Sequence, residues 1–139
     1  MSLGQEYRQL GAVPPFSVLD GSRLKLLSFI CHRIHFEAGD WLCRQGEVAD
    51  GIFVLVDGEV EVTLGGEGRE HVIRRMKPFA FIGEIGALAQ AERTATVTAI
   101  TPVTALKLDQ AQFYRLLQDH PELRQAVEDH IAAADYIYE

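Results

Sequence analysis

The sequence predicts a mainly β fold with flanking helices, and three observations carry that prediction. Residues 34–108 form a succession of short apolar or alternating runs separated by glycine-bearing turns. Within them, Ile52-Phe53-Val54-Leu55-Val56 is continuously apolar, whereas Val60, Val62 and Leu64 alternate with Glu59, Glu61 and Thr63. The two ends of the chain carry helical spacing instead. Short strands at close spacing suggest a sandwich, a roll or a barrel.

Residues 1–33 read as an N-terminal helical segment with a loop. The Pro14-Pro15 pair breaks any longer helix, and Asp20-Gly21-Ser22 makes a turn and an N-cap for a helix carrying Leu24, Leu27 and Ile30. The β region opens with Ile34 and Phe36, turns at Ala38-Gly39-Asp40 and again at Gln45-Gly46-Glu47, and places a hairpin at Asp57-Gly58. Gly65-Gly66-Glu67-Gly68 is a loop tip, His71 to Ile73 resume a strand, and Thr96–Ile100 and Val103–Leu108 supply two more. Residues 109–139 return to helix. Asp109 is placed to cap a helix carrying Phe113, Leu116 and Leu117, and Pro121 opens a second with Leu123, Val127 and Ile131 on one face.

A length of 139 residues fits one domain, 1–139, and 47% hydrophobic residues suffice for a core. The formal net charge of −7 argues against direct DNA binding, which calls for a basic face. A bound anion would need a local positive site. Apolar stretches fall far short of the ~20 residues a membrane span requires. Met1–Leu10 carries Gln5, Glu6, Arg8 and Gln9 and has no apolar core of a signal peptide, which together point to a cytoplasmic protein. Cys31 and Cys43 form no CxxC motif and read as small hydrophobes in a reducing compartment. Trp41 reads as a core anchor. The histidines are scattered, with no HxH or HxxxH pairing for His35 or His71, so no metal site is expected. Ser17, Ser22 and Ser28 sit in no nucleophile-elbow pattern, and no enzyme activity is expected.

One segment carries chemistry: FIGEIGALAQAERTATV, Phe81 to Val97. Gly83-Glu84 opens it and Arg93-Thr94 closes it, with an uncharged run, Ile85 to Ala91, between them. A helical turn over Glu84–Ala91 would fold the segment back and bring both charged side chains to one place. A carboxylate accepts from a sugar hydroxyl, and a guanidinium forks onto a phosphate. Gly83 allows close backbone approach, and Thr94 adds a hydroxyl. The plainer alternative is a structural ion pair between Glu84 and Arg93 that holds no ligand.

Gly83-Glu84-Ile85, Leu88 and Arg93-Thr94-Ala95-Thr96-Val97 resemble the phosphate-binding cassette of the cyclic nucleotide-binding domain family. Phe36 to Asp40, Gln45-Gly46-Glu47 and Phe53 to Val62 resemble that family's β-roll in the same order, and Phe113 to Leu123 resembles its helical tail. The resemblance implies a double-stranded β-helix, a jelly-roll-like β-roll with an N-terminal helix and a C-terminal helical tail. It implies cAMP or cGMP as ligand, with no cofactor. Arg93 would pair with the cyclic phosphate and Glu84 would accept from the ribose 2′-hydroxyl beside Gly83. Backbone N–H groups of Ile85, Thr94 and Ala95 would complete the cradle. A hydroxyl at Thr94 suits cGMP as well as cAMP, Val62 and Ile73 would wall the base, and the last helix would swing over it.

Two positions depart from the family pattern: Phe79-Ala80, where a glycine and a polar residue are usual, and Glu92, where proline often precedes the arginine. Glu92 brings a negative charge beside Arg93, which would weaken affinity or pair with Arg93 when no ligand is present. The effector the sensor serves is not named by the sequence, and the stretch after Pro121 is too short for a DNA-binding domain. The second reading is a degenerate roll without ligand that docks or forms a homodimer through its tail helices.

Overall fold

The computed structural model describes residues 8–66, 68–83 and 92–133. A helical turn at 8–11 and a 3-10 turn, Pro14–Val18, precede helix α1, Gly21–Ile30. Eight strands follow among the described residues: β1 His32–Phe36, β2 Trp41–Cys43, β3 Gly51–Asp57, β4 Val60–Leu64, β5 His71–Met76, β6 Phe81–Ile82, β7 Thr96–Ala99 and β8 Val103–Asp109. Helices α2, Gln110–Asp119, and α3, Pro121–Ala133, follow β8.

The strands form two four-stranded antiparallel sheets, in the orders β1-β8-β3-β6 and β2-β7-β4-β5. Alternate residues of β3 enter different cores. Ile52, Val54 and Val56 join Phe16, Leu27, Phe113 and Val127 beneath the helices. Phe53 and Leu55 join Val60, Val62 and Val97 between the sheets. A strand covered on both faces has no polar side to show, which explains the unbroken apolar run. Strand β4 is covered on one face only, and its alternation follows.

Asp57-Gly58 does not close a hairpin. Both edges of β3 are already taken, by β8 and β6, so the chain crosses to the second sheet, where β4 pairs with β5 and β7. Gly58 (φ +90°) makes the crossing, lying against the Pro102 carbonyl where a Cβ would overlap it. The Glu59 N–H donates to Thr101 Oγ1 at 3.0 Å and the Ile100 N–H to the Glu59 carbonyl at 2.9 Å.

Trp41 is not a core residue. It pairs in register with Thr98, whose neighbours Val97 and Ala99 face the core, so Trp41 falls in the outward row, 53% exposed. The Arg44 guanidinium lies 4.0 Å over its ring.

The helix termini bear out two of three predicted signals. Asp20 caps α1, accepting from the Arg23 N–H at 2.9 Å, and Pro121 is the first residue of α3. Asp109 occupies the N-cap position of α2, but its carboxylate makes no cap bond and lies 3.2 Å from His32 Nε2. The β region also begins two residues early, at His32, and continues to Asp109.

Phe81 joins the tail to the roll. Its ring lies 5.3 Å from Phe16, 6.2 Å from Phe113 and 6.0 Å from the His130 ring on α3. Partial burial of His130, then the charge of Arg74, hold the imidazole pKa below its ordinary value. The unfolded chain therefore binds this proton more readily than the folded one. Stability is full above about pH 6.5 and is lost as pH falls below that value toward the folded pKa. Thermal melts at pH 7.5 and 5.5 are expected to show a larger drop for the wild type than for His130→Phe.

Candidate functional site

The two-residue strand β6 pairs Phe81 with Val54 and Ile82 with Phe53, and this pins the next residue, Gly83, in a buried position. Gly83 has φ +86°, and any Cβ there would run into Arg93 Nη1. Glycine is therefore required twice, by conformation and by space. Gly83→Ala is expected to cost about 1–3 kcal/mol of stability, read by urea denaturation, because the left-handed backbone and the guanidinium both resist a methyl group.

The Gln45-Gly46-Glu47 turn positions Arg93 from the other side. Gly46 (φ +89°) closes the turn, and Glu47 Oε1 accepts from the Arg44 N–H at 3.0 Å. The turn then grips the Arg93 backbone: the Arg93 N–H donates to the Glu47 carbonyl at 2.6 Å, and the Gly46 N–H donates to the Arg93 carbonyl at 2.9 Å.

Arg93 is 4% exposed, and among the described residues it is the only charged side chain that is fully buried. A buried cation requires partners. Nη1 donates to the Gly83 carbonyl at 3.3 Å, and Nη2 donates to Asp50 Oδ1 at 3.1 Å. Asp50 Oδ2 accepts from Lys107 Nζ at 2.6 Å. The Phe53 ring lies beneath both cations, 5.9 Å from the Arg93 guanidinium carbon and 5.5 Å from Lys107 Nζ. Partial burial works to raise the Asp50 pKa, but the Lys107 hydrogen bond and charge and the Arg93 charge outweigh it, so the carboxyl stays below its ordinary range.

A cavity of about 320 Å³ opens beside this group, lined by Leu42, Cys43, Glu47, Asp50, Arg93 and Lys107 among others. Burial pushes the Cys43 thiol pKa up, so it is a poor nucleophile at neutral pH. A larger concavity, about 560 Å³, is lined by Trp41, Thr63, Thr96 and Thr98 and by none of the predicted ligand residues.

Of the predicted site residues, the fold brings Gly83 and Arg93 into contact, with Thr94 and Ala95 following on the chain. The Thr94 hydroxyl oxygen is buried and has no hydrogen-bond partner among the described residues. Ala95 is buried among the inter-sheet residues. Glu84, Ile85 and the short helix expected over Glu84–Ala91 lie outside the described residues. Val62 is fully buried and in register with Val97, which pairs in turn with Cys43. Ile73 is partly buried at a bulge of β5, so the residue opposite Val62 is Arg74. Glu92 is exposed and forms an isolated bridge to Val48, while the guanidinium of Arg93 bonds Asp50 and Gly83.

Asp50 and Lys107 were not legible as site residues. Asp50 is 43 positions from Arg93 and Lys107 is 57 from Asp50, so only the sheet topology brings them together. The available signal was a lone lysine within the otherwise apolar end of β8, Ala105 to Leu108. No group of three or more histidine, cysteine, aspartate or glutamate side chains among the described residues is arranged to hold a metal. No helix among them is long and apolar enough to cross a membrane.

The family model described as the cyclic nucleotide-binding domain matches residues 33–120. The chain is 32% identical over 133 residues to the cGMP-dependent protein kinase egl-4 of Caenorhabditis briggsae, covering 94% of this chain and 18% of that protein. It is 34% identical over 87 residues to the cAMP-dependent protein kinase regulatory subunit of Dictyostelium discoideum, covering 60% of this chain and 27% of that protein. The chain thus spans under a third of the length of these curated relatives. Among solved structures, it superposes with a TM-score of 0.85 on a triply substituted regulatory subunit of a cAMP-independent protein kinase A from Trypanosoma brucei, bound to cAMP in its A site. That pair shares 25% identity, over 98% of this chain and 50% of the other. The Thermus thermophilus catabolite activator protein shows the same fold, with a TM-score of 0.78 at 21% identity over 86% of this chain and 56% of that one. With the family model spanning most of the β-roll and α2, the chain belongs to the cyclic nucleotide-binding domain family.

Proposed function

We propose that this chain binds a 3′,5′-cyclic nucleotide, cAMP or cGMP, at the segment from Gly83 to Ala95 and acts as a non-enzymatic regulatory sensor. The observation that carries the reading is the buried Thr94 hydroxyl, which has no partner among the described residues and lies one residue from a guanidinium held inside the protein. Buried polar atoms are nearly always satisfied, and a phosphate oxygen or a base edge would satisfy this one. In this reading Arg93 pairs with the phosphate, Glu84 with the ribose hydroxyl, and the Ile85, Thr94 and Ala95 amides complete the cradle. Val62 walls the base with Ile73, and Arg74 stands near them on β5.

The link from ligand to output is Phe81. It stands two residues before Gly83 and touches both tail helices, so a shift of the cassette is felt by α2 and α3. A nucleotide that binds one arrangement of the tail more tightly shifts the population toward it. The family is regulatory and ligand-binding, and the relatives are parts of larger proteins. The effector is accordingly a partner domain or protein, in a cytoplasmic setting.

Thermal denaturation with added nucleotide tests the reading. At a hundredfold excess over the dissociation constant the ligand stabilises by about 2.7 kcal/mol. A Tm rise of several degrees is expected with cAMP or cGMP and none with 5′-AMP, whose open phosphate lacks the cyclic geometry. Equal shifts with all three would sink the cyclic-nucleotide assignment.

The degenerate-roll reading is favoured by one observation: Asp50 already neutralises Arg93. It requires no response to either nucleotide and a homodimer through α3, which light scattering would detect.

A further inference from the structure

We infer that Lys107 is a positioning residue for the nucleotide phosphate, acting through Asp50 on Arg93; the inference rests on the reading of Arg93 as the phosphate ligand. Asp50 divides its carboxylate between two cations, with Oδ1 on Arg93 at 3.1 Å and Oδ2 on Lys107 at 2.6 Å. The Lys107 side chain is 18% exposed and stands directly across from Phe53 in the β3–β8 register, so its stem is fixed by the sheet. Asp50 lies just before β3, with its side chain 66% exposed, and has no comparable packing to hold it.

The charges of the three groups decide the consequence. Arg93 and Asp50 alone sum to zero, and an anion approaching Arg93 would meet a pair already neutralised. With Lys107 these three groups carry one net positive charge, which offsets the Glu47 carboxylate on the same cavity wall and keeps it from turning the anion away. Lys107 also makes the shorter of the two contacts to Asp50, on the other oxygen, which leaves Arg93 a weaker hold on the carboxylate and frees the guanidinium to exchange toward a phosphate. Both effects run in the same direction. Loss of Lys107 gives Asp50 wholly to Arg93 and lowers nucleotide affinity. Because the Asp50 side chain is largely in solvent, the effect is a screened one.

The test is a double-mutant cycle read by calorimetric titration with the nucleotide that the wild type binds. Lys107→Met is expected to weaken binding by about 3- to 10-fold, the scale of a partly exposed charge pair. In an Asp50→Asn background the same change is expected to weaken binding by less than about twofold, since no carboxylate remains for Lys107 to engage. Lys107→Arg is expected to restore affinity to near the wild-type value, and Lys107→Gln provides a polar alternative if the methionine variant does not fold. An unchanged affinity in Lys107→Met or Lys107→Gln overturns the inference, and so does an equal loss in both Asp50 backgrounds. A wild type that binds neither nucleotide overturns the reading of Arg93 and the inference with it. Binding by the wild type without Asp50-dependent coupling overturns the inference alone.

Discussion

Replacing Arg93 with alanine is expected to weaken cyclic nucleotide binding by at least about 2 kcal/mol, roughly thirtyfold, because the phosphate loses a charged, bidentate partner. The same substitution tests how the site is built. It removes the donor to the Gly83 carbonyl and one of the two cations on Asp50, so a loss of fold stability accompanies the loss of binding. Lys107 still satisfies the other oxygen of Asp50, and for that reason Arg93→Ala is expected to remain folded. Arg93→Lys should fall between: an ammonium keeps the charge but lacks the planar fork that spans the Gly83 carbonyl, Asp50 and a phosphate. Circular dichroism and nucleotide titration of both variants separate the two effects. A folded Arg93→Ala with unchanged affinity would remove Arg93 from the ligand and leave it a structural ion pair.

The largest stability effect is expected at Phe81. Phe81→Ala deletes a ring that is 2% exposed and touches Phe16, Phe113 and His130, contacts spread over the N-terminal turn, α2 and α3. Large-to-small changes of this kind cost about 3–5 kcal/mol, a large share of the stability of a small domain. Phe81→Leu keeps most of the volume and is expected to cost about half as much. The position matters as much as the size, since Phe81 belongs to the two-residue strand that holds Gly83. A variant that folds is therefore expected to lose both stability and the response of the tail to nucleotide. Urea denaturation by circular dichroism measures the first. A loss below about 1 kcal/mol would mean that the ring is not the anchor its surroundings imply.

Elements specified by local chemistry were legible in the sequence. The Asp20 cap, the start of α3 at Pro121 and the alternation of β4 each depend on residues within one turn or one strand. The unbroken apolar run of β3 announced a strand, and the fold adds that it is covered on both faces. Features set by sheet order were not legible. Asp57-Gly58 has hairpin chemistry, yet both edges of β3 are occupied, so the turn becomes a crossing between sheets. Trp41 has core composition, but its register with Thr98 puts it outside. The bulge between Val62 and Thr63 shifts β5, so that Arg74 and not Ile73 stands opposite Val62.

The candidate site divides in the same way. Gly83, Arg93 and Thr94 lie within one short segment and were legible as a group, helped by the family resemblance. Asp50 and Lys107 reach Arg93 from the start of β3 and from β8, through pairings that no local pattern records. The partners of the Arg93 guanidinium in the absence of nucleotide were illegible for a related reason: they are Gly83 and Asp50. The 44–47 turn holds the Arg93 backbone so that its guanidinium points to Gly83 and Asp50, while Glu92 remains exposed.

Calorimetric titration of the purified wild-type protein with cAMP and with cGMP tests the central claim most directly. Saturable binding at one site per chain is expected with at least one of the two nucleotides. No heat with either at millimolar concentration, from a protein that circular dichroism shows to be folded, would contradict it.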